Sequence, residues 1–319
     1  MIFKNIKING RYIIKDNDLI LYNGGSGISF KMQGKSFTVY ALCIPSPGYI
    51  YIIVDRQFDK KTKVLISKDS YTYTFEDDKP HLIDVVKTNE CNDNALRIEN
   101  LAVDGELLPF DHLYKNKVVV YGDSTVAGFG ILSQSGDASI HNCDSVEDFV
   151  FSGLYEMNMD IDILSASGYG LAFSIYTCPN NIGIYDFFKN VGVHKRAEWP
   201  IKPCNLLIIS LGTNDNSYIQ DNPAEREERI NTFKQKHKAI IDAYVEANSN
   251  TKILMVGGTL KEQNVYYLYE ETYRYLRSFY KNLTMHLFDG DNSAISNHAY
   301  VTAHERMKDE LKAVIKQIL

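Results

Sequence analysis

The hydrophobic pattern of this 319-residue chain changes period once, near residue 115, and that change rules out a single continuous architecture. Before it, apolar residues alternate with polar ones. Ile28, Phe30 and Met32 share a face, Phe37, Val39 and Ala41 share another, and Tyr71, Tyr73 and Phe75 interleave with Thr72 and Thr74. Turn signals separate these runs at Asn23-Gly24-Gly25, Gln33-Gly34, Pro45-Ser46-Pro47-Gly48, Asp77-Asp78 and Asp104-Gly105. Alternation with period two places one face of each strand on a core, and many short strands without a helical stripe predict an antiparallel sandwich or jelly roll.

After residue 115 the apolar runs become continuous: Val118–Tyr121, Ile161–Leu164, Leu206–Leu211, Ile253–Val256 and Met285–Phe288. A strand apolar on both faces is one covered on both faces, as in a parallel sheet. Helical segments lie between these runs. The longest is expected over Pro223 to Ala247, with Ile230, Phe233, Ile240, Ile241 and Tyr244 on one stripe, and the last over Tyr300 to Leu319. The pattern predicts a parallel, doubly wound sheet of five strands with helices on both sides. Two domains follow, 1–114 and 115–319, and the poorly periodic stretch from Cys178 to Pro203 reads as a long connecting loop.

Hydrophobic residues at 45% and charged residues at 23% are those of a globular protein. A net charge of −6 with scattered Lys and Arg argues against nucleic acid or an anionic membrane as partner. No stretch approaches the roughly 20 apolar residues of a membrane helix, and the first residues carry no apolar run of signal length. The five cysteines, Cys43, Cys91, Cys143, Cys178 and Cys204, are widely spaced and lack CxxC pairs, which suits free thiols rather than a disulfide framework or zinc site. A cytoplasmic location is expected, without a metal or other cofactor; the oligomeric state is left open.

Four short segments carry the chemistry. Gly122-Asp123-Ser124-Thr125 follows the first parallel strand and places a hydroxyl at its carboxyl end, where open α/β sheets bind ligands. A helix beginning there would offer spare N–H groups to an anion. Gly168 follows the second strand, Gly212-Thr213-Asn214-Asp215 the third, and His298 lies just beyond the last. Taken singly, Ser124 reads as an N-cap, Gly168 as a turn glycine, Asn214-Asp215 as a turn or cap and His298 as a surface histidine. Together they converge on one sheet edge with what acyl transfer needs. Ser124 is the nucleophile, His298 the base, and the Ser124 and Gly168 N–H groups with the Asn214 amide are donors to an oxyanion.

This order, Gly-Asp-Ser, Gly, Gly-Thr-Asn-Asp and a C-terminal His, resembles the SGNH (GDSL-type) hydrolase superfamily. The resemblance covers 116–319 and implies a flavodoxin-like α/β/α fold with those same roles. Gly10-Arg11, Gly25-Ser26-Gly27-Ile28, the Asp104-Gly105-Glu106-Leu107 exit and Trp199-Pro200 are similar to family 2 carbohydrate esterases, whose jelly roll precedes the catalytic domain. That likeness implies removal of O-acetyl groups from xylan, other glycans or small sugars.

The sequence departs from the superfamily at the histidine block, where an Asp usually sits two or three residues before the His. Here Ile295 and Ser296 occupy those positions, and the nearest upstream acids are Asp289 and Asp291. A backbone carbonyl can fix the imidazole tautomer in place of a carboxylate, so a Ser-His dyad is expected, with Asp291 or Asp289 the alternative third member. Trp199, the one tryptophan, is the candidate platform for a sugar face. The reading is a serine-dependent O-acetyl esterase acting on a small or oligomeric acetylated carbohydrate. The alternatives are a lysophospholipase or thioesterase, and a catalytically degenerate carbohydrate-binding protein.

Overall fold

The computed structural model describes residues 4–175, 182–261 and 265–319. Among them, nine antiparallel strands form the amino-terminal part: β1 (Ile6–Asn9), β2 (Tyr12–Lys15), β3 (Asp18–Leu21), β4 (Gly27–Ile44), β5 (Gly48–Val54), β6 (Thr62–Ile66), β7 (Ser70–Thr74), β8 (Pro80–Lys87) and β9 (Ala95–Leu108). They run β2-β3-β9-β4-β8-β5-β6, with β1 and β7 also paired to β4. This jelly-roll-like sheet closes around one core that includes Leu19, Phe30, Phe37, Ile52, Ile83 and Ile98.

Two of the expected turns are instead the device that bends this sheet. Gln33-Gly34 lies inside the 18-residue β4 and Asp104-Gly105 inside β9, where Gly34 pairs with Gly105. Both glycines hold positive φ, 145° and 138°, and a Cβ on Gly34 would stand 1.9 Å from the Asp104 carbonyl oxygen. Lys35 is the extra residue of a bulge between Gly34 and Ser36. A one-residue bulge reverses which parity faces inward. Ile28, Phe30 and Met32 before it and Phe37, Val39 and Ala41 after it therefore enter the same core, not separate ones.

The carboxy-terminal part is a parallel sheet of β10 (Lys117–Gly122), β11 (Asp160–Ser165), β14 (Leu206–Ser210), β15 (Lys252–Gly257) and β16 (Leu283–Leu287) in the order β11-β10-β14-β15-β16. Successive residues face opposite layers, as the continuous runs require. Val119, Tyr121, Leu207 and Ile209 pack under α2 (Thr213–Gln220), α3 (Arg226–Ala247) and α4 (Tyr266–Arg277). Val118, Val120, Leu206 and Ile208 pack under α1 (Phe149–Glu156) and α5 (Val301–Ile318), a layer that also receives Tyr51, Ile53 and Val86 of the sandwich. The five apolar runs are all strands of this sheet. The helix expected from Pro223 starts at Arg226, after one 3-10 turn over Pro223–Glu225.

No helix follows Ser124. The chain from there turns repeatedly, with Gly128 and Gly130 at φ 67° and 64°, and the first helix begins only at Phe149. The stretch expected as a long loop is also partly ordered: β12 (Asn190–Gly192) and β13 (Lys195–Glu198) form a hairpin whose Val191 carbonyl accepts from Asn23 of the sandwich. Cys178 lies outside the described residues, and the other four cysteines are free thiols. Among the described residues, no helix is long and apolar enough to cross a membrane.

Candidate active site

The carboxyl edge of the parallel sheet gathers the residues singled out in sequence. After β10, Asp123 braces the turn: its Oδ1 accepts from the Thr125 N–H at 3.0 Å and from the Thr125 hydroxyl at 2.8 Å. Burial raises the Asp123 carboxyl to about 6, against the pull of these hydrogen bonds. Ser124 Oγ stands 2.7 Å from His298 Nε2.

The histidine loop fixes the other half of this contact. His298 Nδ1 lies 2.9 Å from the Ser296 carbonyl oxygen. A carbonyl can only accept, so Nδ1 carries the proton and Nε2 turns its lone pair toward the serine hydroxyl. Ser296 and Asn297 hold left-handed φ of 53° and 58°, a conformation that is uncommon without glycine and is found at functional loops. The loop is pinned from below, where Ile295 N–H donates to Ser133 and Val301 N–H to Ile131. Phe129 packs its ring 4.8 Å from the imidazole. Burial lowers the His298 pKa below its ordinary value, opposed by backbone hydrogen bonds at Ser296 and Ile295.

Asn214, in the first turn of α2, donates from Nδ2 to the Tyr169 carbonyl at 3.0 Å, which leaves a second amide hydrogen. Gly168 is at φ 81°. The loop between Gly168 and Phe173 is held to α2 by Asp215, whose buried carboxylate accepts from the N–H groups of Leu171, Ala172 and Phe173 at 2.7, 2.7 and 2.8 Å. Burial raises Asp215 to about 6 even so. Asp215 thus ties the segment carrying Gly168 to the helix carrying Asn214.

Two cavities meet at this pair, one of about 460 Å³ toward the sandwich and one of about 430 Å³ toward α2. Ser124, Ile175, Asn214, Ser296 and His298 border both. Gly168, Phe129 and the sandwich residues Glu90, Asn92 and Asp93 wall the first, while Thr213, Ser217, Tyr218, Asp221 and Asn222 line the second.

One expectation does not hold, and the alternative of an acidic third member finds no contact. Trp199 is buried away from both cavities: its recess is shared with Lys117 and Asp160, the first residues of β10 and β11, whereas the Ser-His pair lies beyond their last. Its indole N–H donates to Asp162 at 3.1 Å, Tyr12 packs edge-on and Lys202 lies over the ring, so it offers no platform at the Ser-His pair. Asp291 turns to Ser293 and the Tyr300 N–H instead of to His298, and Asp289 meets Arg306 through its backbone carbonyl. The partner of Nδ1 is the Ser296 carbonyl, the backbone acceptor that the dyad reading calls for. Sequence reading missed Phe129, Ser296 and the Glu90–Asp93 loop. Thr88-Asn89-Glu90-Cys91-Asn92-Asp93-Asn94 reads as an ordinary polar turn, and only its density of Asn and acids between two strands set it apart.

The arrangement is that of a serine–histidine pair at the edge of an α/β/α layer structure preceded by a jelly-roll-like sheet. No family model matches this sequence, and no curated protein sequence matches it. Solved structures do. The family two carbohydrate esterase from Clostridium thermocellum in complex with cellohexaose is 18% identical with a TM-score of 0.84, over 98% of each chain. That from Cellvibrio japonicus is 20% identical with a TM-score of 0.83, over 98% of this chain and 95% of the other. An acetyl xylan esterase from the rumen bacterium Butyrivibrio proteoclasticus is 15% identical with a TM-score of 0.83, again over 98% and 95%. The chain therefore shares the fold of these esterases over nearly its whole length.

Proposed function

We propose that this protein is a serine-dependent O-acetyl esterase acting on acetylated carbohydrates. The observation that carries the reading is the 2.7 Å contact from Ser124 Oγ to His298 Nε2, with Nδ1 on the Ser296 carbonyl, at the mouth of two joined cavities. Ser124 Oγ attacks the acetyl carbonyl while its proton passes to His298 Nε2. The oxyanion accepts hydrogen bonds from the Ser124 and Gly168 N–H groups and the free Asn214 amide hydrogen. Collapse breaks the C–O bond to the sugar, whose oxygen takes the proton from His298 and leaves an acetyl-Ser124. Water, deprotonated by the same nitrogen, releases acetate. Throughout, the Ser296 carbonyl does the orienting work of a triad acid without its charge.

The fold likeness to esterases and to a cellohexaose-bound relative supports a carbohydrate as the alcohol. So do the hydroxyl, amide and carboxylate groups of Ser217, Asp221 and Asn222 in the second cavity, which suit a polyol better than an acyl chain. The test compares acetylated xylo-oligosaccharides, p-nitrophenyl acetate and p-nitrophenyl octanoate with wild type and Ser124→Ala. Acetate release by wild type alone is expected. Preference for octanoate would favour the lysophospholipase or thioesterase reading. Saccharide binding without turnover of any ester would favour a binding protein.

A further inference from the structure

The sandwich does more than flank the parallel sheet: its β8–β9 loop reaches the segment that carries Gly168. Glu90 is buried, 3% exposed, and its Oε2 accepts from the Ser167 N–H at 2.7 Å. Asn92 donates from one Nδ2 to both Glu90 Oε2 at 3.0 Å and the Ser167 carbonyl at 3.2 Å. Cys91 Sγ meets the Ser165 carbonyl at 3.7 Å. Three consecutive loop residues thus clamp the chain where it leaves β11, immediately before Gly168. The clamp is held from behind, since Asn89 bonds the Tyr49 N–H and the Ile140 carbonyl. Glu90 also borders the same cavity as Ser124, Gly168 and Asn214.

We propose that Glu90, supported by Asn92, is a positioning residue that sets the Gly168 N–H in the oxyanion site, so that the sandwich completes the machinery of the hydrolase domain. This rests on the esterase reading above. A purely structural role would have been met at lower cost by a neutral acceptor, because an ionised carboxylate is disfavoured in a buried position. A charge-assisted bond to an amide is shorter and stronger than a neutral one, and it holds the loop more tightly.

The electrostatics give the clamp a measurable signature. Burial raises Glu90 to about 7; Ser167 opposes this, Asp93 adds to it and Lys87 opposes it. The other titratable groups facing it are Cys91 on its own loop and Cys143 from the hydrolase domain, with His194 bonded to Asn92. Lys87 donates to the Asn89 and Glu90 carbonyls, so its charge lies behind the loop rather than on the carboxylate. Because the folded pKa is raised, the stability Glu90 lends is greatest when it is protonated and is lost as pH rises through about 7.

The experiment compares wild type, Glu90→Gln and Asn92→Ala in the full chain by kinetics, thermal melting and hydrogen exchange. Asn92 is exposed, so its truncation keeps the protein folded if the Glu90 variant misfolds. At pH 8, kcat on p-nitrophenyl acetate should fall about tenfold in Glu90→Gln and less in Asn92→Ala, with KM within about twofold. The acid limb of kcat should move to lower pH in Glu90→Gln, and its melting temperature at pH 8 should rise. Amide exchange should quicken in the peptide over 165–171 and stay unchanged in the β14 peptide over 206–210. Unchanged kcat and pH profile with a lower melting temperature, or unchanged exchange over 165–171, would overturn the proposal. Exchange is read whether or not an ester is turned over: a wild type inactive on every ester defeats the esterase reading, while exchange still judges the clamp.

Discussion

Strand β11 receives two segments of the sandwich, and they are built to opposite ends. At its third residue, Asp162, the fully buried Arg11 donates through Nε at 2.9 Å, and its remaining nitrogens reach Tyr121 and the carbonyls of Phe188 and Asn190. Burial would lower the Arg11 pKa, but Asp162, Tyr121 and Tyr244 raise it above the ordinary arginine value. Trp199 takes the other Asp162 oxygen. There the charges are paired. Just past the strand's last residue, Glu90 and Asn92 grip Ser167 at the wall of an open cavity. Both contacts join the sandwich to the parallel sheet, but only the second stands at the wall of the cavity that Ser124 and His298 border. A buried ion pair is worth little net stability but is expensive to break, so removing Arg11 should disturb folding and removing site groups should disturb chemistry.

The largest effect expected is Ser124→Ala, which should lower kcat by about 10⁴-fold or more while leaving the melting temperature near that of wild type. Arg11→Ala should do the reverse. It leaves Asp162 without its cation and should cost about 3–5 kcal/mol in chemical denaturation, with kcat per folded molecule unchanged. A fall in kcat there would erase the contrast between the two contacts. Asn214→Ala should cost about 2.7–4 kcal/mol of transition-state stabilisation, read from kcat at saturating substrate, with KM little changed.

Smaller effects test the dyad. Asp289→Asn and Asp291→Asn should each keep kcat within about tenfold of wild type. A loss near the roughly 10⁴ that follows a missing triad acid would instead identify the third member. On the proposed mechanism His298 must be neutral to act, and burial holds its pKa below the ordinary histidine value. In Glu90→Gln, with the Glu90 titration removed, kcat/KM should therefore hold as pH falls to the ordinary histidine value and decline only below it, where Asp123 and Asp215, raised to about 6, also take up protons.

Most of the fold was legible from the sequence because it rests on periodicity. The five apolar runs became the parallel sheet, and the Ile230–Tyr244 stripe of α3 packed as its spacing required. Helix α1 escaped notice since seven of its eight residues are buried, which leaves no polar face to set a period, although Asp148 caps it at Val150 and Phe151. The Gly34–Gly105 pair was misread because a glycine that bends a strand and one that ends it look alike in sequence. In the site, Ser124, Gly168, Asn214 and His298 stood out because each follows a strand end. Ser296 could not, since it contributes a carbonyl that every residue possesses. Trp199 was misplaced because an aromatic ring carries no mark of whether it faces solvent or another domain. Glu90 lies 77 residues from the Ser167 amide it holds, a pairing that only the tertiary fold creates.

The most direct measurement is an active-site titration with p-nitrophenyl acetate, followed by peptide mapping of the quenched enzyme. The account predicts a burst of p-nitrophenol approaching one per active site and an acetyl group on the peptide containing Ser124, absent in Ser124→Ala. Turnover by wild type with the acetyl group trapped at another residue, or turnover retained in Ser124→Ala, would contradict it.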